Sequence, residues 1–161
     1  MKKLSLITLS LTSFMASAST LHISPELKIG AYQGVGIQLG ATDVIDLDAV
    51  YFSYNVTGYE SSVYDERIDS YRIGGQKMLG ASKVHGFQAE MGFAQYDGTK
   101  DWSSPVRYKA DGISFGGAYV FQATEHLGLR AGVDFNMFRW GNTHIPYDMS
   151  PTFNLGVILN L

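Results

Sequence analysis

Along most of this chain the hydrophobic residues recur at every second position, the repeat of a strand with one apolar face. The last run is the plainest. Phe153, Leu155, Val157, Leu159 and Leu161 share one face, and Asn154, Gly156, Ile158 and Asn160 share the other. Before it, Leu129, Ala131, Val133, Phe135 and Met137 stand against Arg130, Gly132, Asp134 and Asn136. Ile113, Phe115, Tyr119 and Phe121 alternate with Ser114, Gly116, Ala118 and Val120. The stretches Val35 to Ala41, Val50 to Val56, Tyr71 to Leu79 and Phe87 to Phe93 obey the same rule. A first strand falls within Leu21 to Ala31, where Pro25 lacks a ladder donor and suits an edge or a bend. The reading gives eight strands and no amphipathic helix of useful length after the N-terminal segment.

The links between these runs alternate in character. Thr42-Asp43-Val44-Ile45, Gly80-Ala81-Ser82-Lys83 and Ala123-Thr124-Glu125-His126 have the size of short turns. Tyr59 to Arg67, Asp97 to Arg107 and Arg139 to Asp148 read as polar loops of about ten residues. A tight outer turn is expected around Ala31 to Gly34. Short turns at one end and longer loops at the other describe an up-and-down transmembrane barrel with both termini on the periplasmic side.

The N-terminus supports export. Lys2 and Lys3 form a positive region, Leu4 to Met15 a short apolar one, and Ala16-Ser17-Ala18 a small-x-small cleavage site. Residues 1–18 are therefore expected to be a cleaved signal peptide and 19–161 a single barrel domain. Without Lys2 and Lys3 the chain keeps 10 of its 12 basic residues against 15 acidic ones, moving the formal charge from −3 to −5. That balance argues against a nucleic-acid partner. With no cysteine there is no disulfide and no thiol to carry a lipid anchor. No later segment reaches eighteen consecutive apolar residues, so a membrane-spanning form must be a barrel rather than a helical bundle.

Alternation alone also fits a soluble periplasmic sandwich or a lipocalin-like barrel. The polar phase separates the readings. It holds most of the chain's 18 glycines, among them Gly34, Gly36, Gly74, Gly92, Gly116 and Gly132, together with Glu26, Lys28, Gln38, Arg72, Gln76, Gln88, Glu90, Arg130 and Asp134. Glycine weakens a water-facing strand to no benefit, but inside a narrow barrel it leaves room for large neighbours. Three acids matched by three bases suggest a paired network of Glu26, Lys28, Arg72, Glu90, Arg130 and Asp134 that fills the lumen, because isolated charges there would be costly. Aromatic residues near the strand ends, such as Tyr54, Tyr71, Trp102, Tyr108 and Trp140, suit the two membrane interfaces.

On its signal segment, its Gly-rich strand phase and its closing run Phe153 to Leu161, the chain resembles the OmpA/OmpX-like superfamily of small eight-stranded outer-membrane β-barrels. The resemblance covers the whole mature chain and implies an outer-membrane location. It also implies recognition of the closing strand by the barrel-assembly machinery, although Leu161 stands where the usual terminal residue is aromatic. It does not fix a function, since barrels of this size host adhesins, anchors and lipid A enzymes.

Candidate chemistry is sparse. Lipid A 3-O-deacylases carry a His-x-Ser pair on a late strand, whereas here His22-Ile23-Ser24 lies on the first, and His22 is expected to be an ordinary rim residue. His85 and His126 sit at turns, and His144 is near Asp148 and Ser150 in sequence only. Four scattered histidines offer no zinc spacing, and Lys100 disfavours calcium between Asp97 and Asp101. No catalytic site, cofactor or metal is therefore expected. Arg107, Lys109 and Arg139 extend the lipid-facing phase just above the apolar band, where they are expected to meet lipopolysaccharide phosphates. The expected function is a non-enzymatic surface protein, serving envelope integrity or contacting a host or surface ligand through its loops. A lipid A-modifying enzyme and a narrow channel are the alternatives.

Overall fold

The computed structural model describes residues 20–44, 46–102 and 104–161. The expected signal peptide and Ser19 lie outside the described residues, as do Ile45 and Ser103. Among the described residues the alternating runs form eight antiparallel strands. These are β1 (Leu21–Ile29), β2 (Gln33–Val44), β3 (Leu47–Glu60), β4 (Tyr64–Leu79), β5 (His85–Asp101), β6 (Pro105–Gln122), β7 (Leu127–Phe138) and β8 (Met149–Asn160). Each pairs with its sequence neighbours, and β8 returns to β1, so the sheet closes as a barrel.

The closing seam is tied at its end by a reciprocal pair, Leu21 N–H to Leu161 O at 2.7 Å and Leu161 N–H to Leu21 O at 2.8 Å. Pro25 occupies neither an edge nor a bend. It lies in the middle of β1 opposite Ile37 of β2, while pairing with β8 skips from Ile23↔Leu159 to Glu26↔Gly156. The missing proline donor is absorbed as a gap in that one ladder.

Two of the three expected long loops are instead strand. β3 and β4 continue upward to Glu60 and Tyr64, and β5 and β6 to Asp101 and Pro105. The period-two signal fades there because the outward face becomes polar too, yet the ladder runs on. Among the described residues only 139–148 form a long loop, ending in a 3-10 turn at Pro146–Asp148.

The apolar phase faces outward and the polar phase inward, the inverse of a water-soluble domain. Ile73, Met91, Phe93 and Phe153 are each at least 65% exposed, whereas Ser24, Gln38, Arg72 and Asp134 are sealed inside. The lumen is layered. Met78, Val120 and Ile158 close the end that carries the termini. Tyr32, Ile68, Ala94, Tyr96, Phe138 and Ile145 close the other. Glu26, Lys28, Arg72, Glu90, Arg130 and Asp134 lie between these apolar layers.

Inward glycines are spacers for that middle layer. A Cβ on Gly116 would stand 2.5 Å from Glu90 Oε1 and 2.7 Å from Asp134 Oδ1. Its neighbour Gly117 faces outward, and a Cβ there would meet nothing closer than 3.8 Å. Gly116→Val is accordingly expected to cost about 1–3 kcal/mol of barrel stability by overpacking, and Gly117→Val to be near neutral. Urea midpoints in lipid vesicles give the comparison. Equal midpoints for the two variants would contradict the spacer role.

Candidate functional site

Four strands deliver the six charged lumen residues to one level: Glu26 and Lys28 from β1, Arg72 from β4, Glu90 from β5, and Arg130 and Asp134 from β7. They close into a ring of alternating sign. Lys28 Nζ bridges Glu26 and Asp134, the latter at 2.6 Å. Arg72 Nη1 lies 2.8 Å from both Asp134 Oδ1 and Glu90 Oε1. Arg130 reaches from Glu90, at 4.0 Å, back to Glu26. Neutral neighbours complete the set: Arg72 Nε–H donates to Ser114 Oγ at 2.6 Å, and Asn154 Nδ2–H to Asp134 Oδ1 at 3.0 Å. All six side chains are buried, so each charge depends on its two ring neighbours rather than on water.

Below the ring the contacts are uncharged. Gln88 donates to Gln76 at 2.8 Å and lies within reach of Gln38. His22 is not a rim residue. It points into the lumen, stacks on Tyr51 with ring centroids 5.3 Å apart, and bonds Asn160 and Gln38. Inward direction follows from its parity with Glu26, and the Pro25 reading obscured it. Ser24 lies two residues on along the same face, and His22 makes no bond to it.

The upper end is shut by a strap. In the 139–148 loop, Ile145 is buried among the upper apolar residues, and His144 N–H donates to the Tyr96 hydroxyl at 3.1 Å. The His144 ring packs on Tyr108 at 4.6 Å and on Tyr64 at 5.8 Å. Asp148 does not orient His144; it accepts from Gly141 N–H at 2.8 Å and Thr143 Oγ1 at 2.6 Å. These bonds hold its carboxyl below the usual carboxylate range, Thr143 contributing most. Tyr32 donates to the buried carboxylate of Glu66 at the same level. The sequence reading missed Glu66 by placing Tyr59 to Arg67 in a loop; stepping by twos from Arg72 along β4 would have turned it inward.

Above the apolar belt the outward phase becomes charged. Arg107 binds Asp97 with two bonds, at 2.6 and 2.7 Å, and Lys109 Nζ lies 3.2 Å from the same carboxylate. Two of the three cations expected to meet phosphate thus share one acid. Arg139 is exposed at the start of the strap, apart from that pair. Arg67 is matched by Asp69 at 2.7 Å. Among the described residues no group of three or more His, Asp or Glu is placed to hold a metal ion.

No protein-family model and no curated protein matches the chain. Solved structures do. The N-terminal β-barrel domain of Pseudomonas aeruginosa OprF aligns with a TM-score of 0.64 at 18% identity, covering 89% of this chain and 98% of that one. Neisserial surface protein A gives 0.60 at 14% identity, covering 88% and 95%. Ail, the attachment invasion locus protein of Yersinia pestis, gives 0.67 at 12% identity, covering 88% and 97%. The fold is that of the small eight-stranded outer-membrane barrels, and the outward apolar belt is the surface such a barrel turns to lipid.

Two outcomes test this geometry. Arg72→Met leaves Glu90 and Asp134 facing each other without their shared cation, and is expected to cost about 3–5 kcal/mol. Adding Glu90→Gln should recover part of that loss; no recovery in urea unfolding would mean the ring is not coupled. At the rim, bonding to Arg107 and then Lys109 lowers the Asp97 carboxyl to about 2. Since this lies below the unfolded value, the pair stabilises at neutral pH and its contribution is lost as pH falls through about 2, by a small amount at so exposed a site. A carboxyl-carbon NMR titration should show that midpoint, and Arg107→Gln should raise it.

Proposed function

We propose that this protein is a non-enzymatic outer-membrane barrel that works through its extracellular rim, contacting other surfaces and supporting envelope integrity, rather than through its lumen. The observation that carries the reading is the closed ring of six charges held between two apolar layers. A lumen filled in this way offers no passage for ions and no open cleft for a substrate, which leaves the rim as the surface available for work.

The rim is built for contact. Trp102, Trp140 and Tyr147 are 78%, 81% and 82% exposed, all on the loops opposite the termini. Tyr147 holds a left-handed backbone, φ 61°, a costly conformation for a bulky residue. Asp148, bonded to Gly141 and Thr143, fixes the turn that presents it. Exposed rings on a braced turn support recognition of a flat apolar or sugar surface. Because Arg107 and Lys109 share Asp97, that cluster offers a single excess positive charge. With Arg139 it supports a modest contact to lipopolysaccharide phosphates. The closing strand Phe153 to Leu161, seamed to β1, is the segment that would engage the assembly machinery during insertion.

The combined variant Trp102→Ala, Trp140→Ala and Tyr147→Ala should fold as the parent does and lose severalfold in surface attachment of cells that display it. Planar bilayers containing the protein should show no discrete conductance steps. Unchanged attachment and unchanged envelope integrity in the variant would remove the rim reading, and stepwise conductance would restore the channel. A change in lipid A mass on expression would restore the enzyme. Replacing Arg107, Lys109 and Arg139 by Gln should reduce co-purified lipopolysaccharide; no reduction would sink that contact.

A further inference from the structure

Two outward rows of the apolar belt run side by side from β6 across β7, β8 and β1. One passes through Tyr119, Ala131, Leu155 and Leu27 to Val35 on β2, each the register partner of the next. The other lies one outward position nearer the termini, running from Phe121 through Leu129 and Val157 to Pro25. Between them is an open groove of about 890 Å³. Ala131 and Pro25 keep it open, because each is short where its neighbours Leu129, Leu155, Leu27 and Ile37 are long.

The groove climbs as it goes. Tyr119 lies three residues from the Gln122 end of β6, whereas Val35 lies nine from the Val44 end of β2. From β6 to β2 it crosses four strand spacings, about 19 Å. With strands tilted about 45°, that length rises about 14 Å, close to half of a hydrocarbon core about 30 Å thick. It therefore matches the depth of one leaflet. Followed the other way, the same two rows continue to Phe87 and His85 on β5 and to Lys77 and Leu79 on β4. Lys77 and His85 are diagonal neighbours across that ladder, about 7–8 Å apart at the backbone, and both are exposed. Lys77 Nζ donates to Asp46 O, which leaves two of its donors, and it has no ion pair among the described residues. Asp48, close enough to attract Lys77, is already bound to Lys83 at 2.8 Å and accepts Met78 N–H at 2.8 Å. The His85 ring stacks on Tyr119 with centroids 5.9 Å apart and shares a hydrogen bond with its hydroxyl. With Tyr119 O–H donating to Nδ1, Nε2 carries the ring proton and has no partner among the described residues.

We propose that this surface holds one anionic phospholipid of the periplasmic leaflet, its phosphate between Lys77 and His85 and one acyl chain in the groove. The phosphate accepts the donors that Lys77 and His85 have free, and the bond from Lys77 is charge-assisted. The belt supplies only a trough, and selection rests at its lower margin. There an unpaired lysine favours a headgroup with net negative charge over a zwitterion. Lipopolysaccharide does not suit the site, because its phosphates stand at the opposite interface, about 30 Å away. The site is remote from the extracellular rim and asks nothing of it.

The protein is placed in phosphatidylcholine nanodiscs that contain a small fraction of phosphatidylglycerol carrying a nitroxide near the end of one chain. NMR signal loss is then compared at Leu27 and Val35, along the groove, and at Phe93 on the opposite wall. Severalfold greater loss is expected at the groove. Lys77→Gln combined with His85→Gln, both at exposed positions, should even out the three sites. Ala131→Leu fills the groove and leaves the headgroup residues in place, and should do the same. Phosphatidylcholine bearing the same label should give little contrast, and added lipopolysaccharide should not remove the contrast seen with phosphatidylglycerol. The proposal is overturned if labelled phosphatidylglycerol affects all three sites alike, if the contrast survives either variant, or if labelled phosphatidylcholine reproduces it. Displacement by lipopolysaccharide would overturn it too, as would a contrast that appears only when two barrels share a disc, which would make the groove a contact between copies.

Discussion

A chain that turns its apolar side chains outward to lipid must dispose of its polar ones in a lumen that water does not freely fill. In this barrel the ring formed by Glu26, Lys28, Asp134, Arg72, Glu90 and Arg130 meets that constraint. Each ion sits between two of opposite sign, so no member is left with an uncompensated charge. The arrangement joins β1, β4, β5 and β7 across the interior, strands of which the hydrogen-bond ladder pairs only β4 with β5 directly. A change at one ring position is thereby felt on three other strands. The sheet closes the barrel, and the ring fixes which closure is compatible with a neutral interior.

Room for the ring comes from backbone economy. Gly116 and Gly74 carry no side chain because Glu90, Asp134 and Tyr51 occupy that volume from other strands. The apolar layers above and below then isolate the ions from bulk water, which strengthens their attraction and raises the cost of breaking it. Packing and electrostatics therefore depend on each other here. Larger residues at the glycines would displace the carboxylates, and without the ring the glycine-lined interior would be a loose cavity.

Strand order, the inward direction of the polar phase and the identity of the ring residues were legible because within the belt the two faces of each strand meet opposite environments. Counting by twos there assigns every side chain to lipid or lumen. Above the belt the rule loses its contrast. Asp97 and Arg107 bounded an expected loop, although the residues between them continue in register on β5 and β6 up to Asp101↔Pro105. Glu66 and Tyr32 went unnoticed for the same reason, and so did the strap, whose Ile145 enters the lumen from a loop with no periodicity at all. His22 was misplaced by a different cause. Pro25 suggests a broken strand in sequence, whereas a closed barrel tolerates one missing donor at its seam.

The same loss of contrast sets where side chains are free to vary. Inside the belt, each outward position is held to an apolar residue and each inward one to the ring or its neutral neighbours, so little freedom remains for recognition. Above it the outer face of β3 to β6 is open and the inner face is covered in part by the strap, and the wall they form ends abruptly because β7 stops six residues short of the length of β6. The unequal strand lengths therefore raise one side of the filled barrel, β4 to β6, above the other, and the charged pairs of Asp97 with Arg107 and Lys109 stand on that taller side.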